Sequence, residues 1–204
     1  ELRWLEMAWQ TFGPPGRWRG KAEKGGGRLF DLGTHMIDQV MQIFPQAVET
    51  VYCRMHHDYP DHDVDSHAMV VVGFEGGNTA VVDAGGMHLI PKPRVHAFGK
   101  QGTFVKHGLD PQESAMRRGE IDAAEEPEES YGRLKTADGE ERVVPTVPGR
   151  WRNFYENVAD VLAGRAEPEV KLSEARRVIA VLDAAFESAE SGEVVRPHIP
   201  ALQS

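Results

Sequence analysis

A chain of 204 residues with 40% apolar and 27% charged side chains and a formal charge of −9 is a globular polypeptide, long enough for one large domain or two small ones. Those proportions exclude disorder and collagen-like structure, and the acidic balance argues against nucleic acid, which selects Lys and Arg clustered on one face. The longest purely apolar stretches, such as Ala68–Val72, are far shorter than the roughly 20 residues that cross a bilayer, so neither a membrane helix nor a membrane anchor is expected.

The chain starts at Glu1 rather than methionine, and nothing near it has the charged-then-apolar form of a signal peptide. Leu2–Phe12 already reads as ordered sequence, a half-buried strand carrying Trp4, Trp9 and Phe12, so a piece of a longer protein is expected. Gly13-Pro14-Pro15-Gly16 ends that strand, and Gly25-Gly26-Gly27 precedes the first clear helix, Leu29–Phe44. There Met36, Ile37, Val40, Met41 and Phe44 recur at helical spacing, and Pro45 stops the run.

From Val48 the hydrophobic period falls from 3.6 to 2, and strands are predicted at Val48–Met55, His67–Glu75, Asn78–Ala84, Arg94–Phe98 and Thr103–Lys106. Gly76-Gly77 turns one hairpin, and Asp138-Gly139 turns another between Tyr131–Thr136 and Glu141–Val147. The lone cysteine, Cys53, cannot close an internal disulfide, which fits a reducing, cytoplasmic setting. Between Glu120 and Glu141 nine acidic residues face two basic ones and hold seven of the net nine negative charges. That stretch reads as a solvated loop with no role in chemistry.

Two helices follow. Trp151–Leu162 gathers Trp151, Phe154, Tyr155, Val158, Val161 and Leu162 on one side and ends at Gly164. Ser173 is positioned to cap the next, whose apolar stripe runs from Ala175 to Ala189 before Gly192. The order predicts an α+β domain: a mostly antiparallel sheet of about six strands, helices on one face, and the other face open for dimerisation.

Chemistry-bearing residues concentrate on the first helix. At 100° per residue Asp31, His35 and Asp38 fall within about 60° of one another, opposite the apolar stripe. A carboxylate one turn from an imidazole can orient the ring for acid–base work, although the same spacing describes an ordinary solvated helix face. A second concentration, His56 to His67, holds four His and four Asp in twelve residues. It offers zinc-type ligands but lacks Cys and a helical H-x-x-x-H pair, so the expectation is a solvated connection and no metal site. A metal-binding protein built on that tract is kept as an alternative.

The run Gly26-Gly27-x-Leu29-x-Asp31-x-Gly33-x-His35-x-x-Asp38 resembles the segment that follows the first strand of the C-terminal domain in the Gfo/Idh/MocA family of NAD(P)-dependent sugar and polyol dehydrogenases. A second run, Gly99-x-x-Gly102-Thr103-Phe104-x-Lys106-His107-Gly108-x-Asp110-x-Gln112-Glu113, is similar to the branch containing scyllo-inositol dehydrogenases, with His107 where that branch usually has tyrosine. The resemblance spans Leu2 to Pro197. It implies that residues 1–204 are a C-terminal substrate-binding and oligomerisation domain, with Asp31 and His35 catalytic. His35 exchanges the proton of a sugar or cyclitol hydroxyl, and Asp31 orients its ring. Arg17, Arg19 and His88 are implied substrate contacts.

The resemblance also implies a partner: an N-terminal Rossmann domain that binds NAD or NADP and supplies a Glu-Lys-Pro lysine. This chain has neither Glu-Lys-Pro nor Gly-x-Gly-x-x-Gly, so no cofactor-binding residue is expected in it and the fragment alone should be inactive. A homodimer or homotetramer through the open sheet face is expected. The remaining alternative is a non-catalytic assembly module of the same fold.

Overall fold

In the computed structural model, which describes residues 1–202, eight strands form one sheet. They are β1 (Leu2–Gln10), β2 (Val48–His56), β3 (His67–Phe74), β4 (Thr79–Gly85), β5 (Val95–Gly99), β6 (Gly102–Lys106), β7 (Gly132–Thr136) and β8 (Glu141–Val144). Their order across the sheet is β2-β3-β4-β1-β5-β6-β7-β8. Every neighbouring pair is antiparallel except β1 with β4, which run parallel from Trp4 opposite Thr79 to Gln10 opposite Gly85. The α+β class matches the sequence reading, but the sheet is wider than six strands. The four- and five-residue strands β5 to β8 all continue the same hydrogen-bonded ladder instead of forming separate hairpins.

Alternation decides which side chains meet. In β3 every second residue is buried, so Ala68, Val70, Val72 and Phe74 face the core while His67, Met69 and Val71 face away. Two helices bury that core face: α1 (Thr34–Ile43) through Met36, Ile37, Val40 and Met41, and the C-terminal α4 (Leu172–Ser191) through Val178, Val181, Leu182 and Ala185. Each large apolar side chain so buried contributes roughly 1.5–3 kcal/mol. Gly76 and Gly77, at φ 83° and 81°, supply the left-handed backbone that the tight β3–β4 turn needs.

The termini of the helices differ from expectation in two places. Lys171, not Ser173, flanks the start of α4, where its backbone N–H donates to the Glu174 carboxylate at 2.9 Å and Ser173 lies one residue inside the helix. An additional six-residue helix, α2 (Gln112–Arg117), closes on the acidic stretch. The expected helix at 151–162 forms as α3 (Arg152–Leu162), yet it buries none of its residues. Phe154, Tyr155, Val158 and Leu162 all stand exposed, so its apolar side does not cover the sheet.

Edge strand β2 is sealed by the C-terminal segment. Val51 and Val195 exchange backbone hydrogen bonds at 2.9 Å, and Val48 N–H reaches the Ile199 carbonyl at 2.9 Å. Ser188, completely buried on α4, completes the seal: its Oγ accepts the Cys53 N–H at 2.9 Å and donates to the Glu193 carbonyl at 2.6 Å. Beneath it, burial pushes the Cys53 thiol up to about 12.

Ser188→Ala would orphan a buried backbone N–H and is expected to lower unfolding stability by about 1–3 kcal/mol, read by urea denaturation. A loss within error would mean that the hydroxyl is dispensable. Cys53 should resist a thiol reagent at pH 8 in the folded chain and react once urea unfolds it, because the reactive species is the thiolate; modification at equal rates in both states would contradict its burial.

Candidate active site

Strand β1 delivers the chain to a tight loop that fixes how α1 begins. Gly26 N–H donates to the Lys21 carbonyl at 3.0 Å and Gly27 N–H to the Arg19 carbonyl at 2.9 Å. Gly27 sits at φ 109°, and a Cβ there would collide with the Asp65 carboxylate. Asp65 is buried, accepts the Leu29 N–H at 2.8 Å through Oδ2, and accepts the Arg28 N–H at 3.3 Å through its carbonyl. Burial raises its carboxyl above the usual range despite those donors.

Residues Leu29–Gly33 then wind as a π turn, with Thr34 N–H donating to the Leu29 carbonyl, before regular helix starts. A π turn adds about one residue to the circuit, so the residues before it are rotated by roughly 100° from where a uniform helix would put them. Asp31 accepts the Arg19 Nε–H at 2.7 Å, and no hydrogen bond joins Asp31 to His35 among the described residues. The His35 ring lies instead against Trp9, with centroids 5.8 Å apart.

His35 opens into a cleft of about 740 Å³ beside α1. Helices α1 and α4 cover the β2-β3-β4-β1 half of the sheet, and the cleft occupies the space where that cover stops. Trp9, Val95 and Lys106 form its floor, His35 and Gln39 one wall, and the segment from Gly108 to Glu113 the other. The opposite wall is braced internally. Asp110 accepts the Gln112 backbone N–H at 2.8 Å and its Nε2 at 2.9 Å, while Gln112 Oε1 accepts the Trp151 N–H at 2.9 Å.

Three cleft residues escaped the sequence reading. Arg94 stacks its guanidinium 4.7 Å from the Trp9 ring centre and donates to the Ala8 carbonyl at 3.2 Å; burial pulls its pKa down to about 10. Lys106 donates to Glu126 at 2.7 Å and to the Ser130 carbonyl at 2.8 Å. Burial pushes the Glu126 carboxyl up, but the Lys106 ammonium outweighs it and holds the group below its usual range. Glu126 is thus drawn out of the acidic loop to line the cleft. Nothing in local periodicity marks these residues: Lys106 is set opposite Val95 by strand pairing, Arg94 just precedes β5, and Glu126 lies outside the strands and is held by Lys106. Trp9 itself was visible only as a strand aromatic.

The other expected site residues lie elsewhere. Arg17 is exposed at φ 55°, and neither it, Arg19, Asp31 nor His88 lines the cleft. His88 sits on the opposite face of the sheet, edge-on to His67 at 5.1 Å between ring centres. Burial lowers its pKa. The His/Asp tract is dispersed: Asp63 accepts the Ala22 N–H at 2.8 Å, Asp58 accepts the Ser66 hydroxyl at 2.6 Å, and Asp65 anchors α1.

The glycine run does not fit a dinucleotide's diphosphate. The Gly26, Gly27, Arg28 and Leu29 amides are all spent on internal acceptors, and a buried carboxylate occupies the position an anion would need.

Residues 4–196 match the family model described as the oxidoreductase family, C-terminal alpha/beta domain. The chain is 31% identical over 194 residues to the scyllo-inositol 2-dehydrogenase (NADP(+)) IolW of Bacillus subtilis, covering 88% of this chain and 51% of that protein. It superposes on the structure reported for the oxidoreductase YvaA of Bacillus subtilis with a TM-score of 0.85 at 25% identity, covering 96% of this chain and 58% of the other. On an NAD-binding protein from Listeria innocua the TM-score is 0.79 at 26% identity, with coverage of 96% and 55%. The chain spans about half the length of the curated relatives it matches. With the matched model covering nearly its whole length, this chain belongs to the Gfo/Idh/MocA oxidoreductase family, as a C-terminal alpha/beta domain.

Proposed function

We propose that residues 1–204 form the substrate-binding half of a two-domain, NAD(P)-dependent dehydrogenase that acts on a secondary alcohol of a sugar or cyclitol in the cytoplasm. The observation that carries this reading is the position of His35: its ring opens into a cleft whose far wall is the Gly108–Glu113 segment. The dinucleotide would be held by a preceding nucleotide-binding domain, consistent with the spent amides of residues 26–29, and would supply a hydride acceptor when bound. The name of the IolW relative, an NADP(+)-dependent inositol dehydrogenase, supports the substrate class.

In this reading the carbinol C–H electron pair leaves as hydride, the C=O bond forms, and His35 takes the hydroxyl proton. Trp9 supplies a flat apolar surface to hold that ring, and Arg94 keeps Trp9 in place from above. Asp31 is assigned to the catalytic machinery by the family likeness of its motif, and Arg19 fixes its carboxylate at the start of the helix, where the helix dipole favours negative charge. Arg17, exposed on the same loop, is free to turn toward a hydroxylated substrate. His88 would contact a substrate only through movement around the sheet edge. Apolar side chains such as Trp4, Val71 and Phe98 on the helix-free face support assembly with a second copy of the chain.

In the two-domain protein, His35→Ala is expected to lower turnover of a polyol substrate by about 10²-fold or more. Near-normal turnover would remove His35 from the mechanism and favour an assembly module. Arg19→Ala, which frees Asp31, should give a smaller loss; no change would show that the ion pair serves only the loop. By calorimetry the chain alone should bind neither NAD(H) nor NADP(H) at micromolar concentrations, and micromolar affinity would refute a cofactor site held elsewhere.

A further inference from the structure

The helix-free face of the sheet carries a polar cluster that the proposed hydride transfer does not use. His67 at the start of β3 and Asp83 near the end of β4 both point to this face, because Ala68 and Val82 beside them point to the core. Their side chains meet diagonally, His67 Nε2 lying 2.7 Å from Asp83 Oδ1. The loop of residues 86–92 folds back so that His88 stands beside both. Gly85 makes room for it: a Cβ there would lie 2.6 Å from His88 Cε1 and 2.9 Å from its Nδ1. One ligand atom each from His67, Asp83 and His88 then falls within 4.8 Å of the other two.

We propose that His67, Asp83 and His88 bind a divalent transition-metal ion of the zinc type, which pins the 86–92 loop to the helix-free face of the sheet. Tetrahedral zinc at its usual bond lengths of about 2.0–2.1 Å places ligand atoms roughly 3.3 Å apart, so the widest pair here closes by up to about 1.5 Å while His67 and Asp83 open from 2.7 Å. Two imidazoles with one carboxylate select zinc and its neighbours over magnesium or calcium, which demand oxygen ligands and more of them. The His88 Nδ1 atom is shielded from solvent and has no hydrogen-bond partner among the described residues, an arrangement that proteins rarely leave uncompensated. Asp83 is 7% exposed, and its second oxygen accepts the Lys92 ammonium at 2.6 Å. Lys92 is itself 59% exposed and can swing into water as the ion enters. A fourth ligand position, open toward the surface, is left for water.

His67 is the last residue of the His/Asp tract, and it is the tract's only member in the trio. The neighbouring His57 is exposed, outside the trio, and serves as a control.

The test is zinc binding by the chelator-stripped chain, followed by calorimetry against a competing chelator and by the melting temperature. One zinc ion per chain with micromolar or tighter affinity is expected, with a rise in Tm that magnesium and calcium do not reproduce. His67→Gln and His88→Gln should each weaken binding by about 10²-fold or more and abolish the Tm rise, since even residues behind the ligands commonly cost 10–100-fold. His88→Gln lies on the loop and should fold normally by circular dichroism, so the proposal stands or falls on it even where Asp83→Asn unfolds the sheet. His57→Gln should bind as the unaltered chain does. Absence of saturable zinc binding would overturn the proposal, as would binding lost in His57→Gln but kept in His88→Gln.

Discussion

The buried carboxylate of Asp65 fixes the point at which the first helix begins, and the arrangement of the cleft depends on it. Asp65 takes the Leu29 N–H directly and leaves no room for a Cβ at Gly27, so both the glycine and the acid are dictated by one close approach. From that fixed start the chain has one residue too many for a regular helix. It absorbs the surplus as the π turn at Leu29–Gly33, and Gly33 accommodates the Leu29 side chain that a larger residue would strike. The apolar stripe of Met36, Ile37, Val40 and Met41 then locks the helix phase against the sheet. With phase and origin both pinned, His35 has one place to go: outward, over Trp9.

The chemistry of the cleft follows from where the sheet runs out of helical cover. Two cations, Arg94 and Lys106, are partly withdrawn from water there, and each is compensated locally, Arg94 by a carbonyl and an aromatic face and Lys106 by Glu126 and a carbonyl. Leaving either cation without those partners would cost several kcal/mol, so the acidic segment is tied down by the need to neutralise Lys106. Charge that reads as a solvated run in one dimension contributes, in three, Glu125 and Glu126 to the lining of the cleft.

Alternation of residues is a local property, which is why every strand was legible in the sequence, all to within two residues at each end except β8, which stops at Val144 instead of Val147. The width of the sheet was not, since joining β6 to β7 across the acidic segment is a long-range event that no period records. The helix carrying His35 was visible in its apolar spacing and in its likeness to a family motif. Its π turn was invisible, because uniform spacing assumes 100° per residue throughout, and that spacing alone set the Asp31 carboxylate beside His35. In its place Arg19, only twelve residues upstream, takes the Asp31 carboxylate. Motif likeness picked out the segment that holds Asp110 and Gln112 without revealing what they do, which is to brace the Trp151 backbone against the cleft.

That brace bears on α3, which buries none of its residues. Helix α3 leaves Phe154, Tyr155, Val158 and Leu162 exposed, apolar surface of the kind that marks an interaction face. The Gln112–Trp151 hydrogen bond plants the start of α3 on the cleft rim, so the exposed stripe begins within reach of the space that His35 faces. On the two-domain reading, a single neighbouring surface could both cover that stripe and close the cleft from the side α1 leaves open. Burial of α3 and exclusion of water from His35 would then be one event.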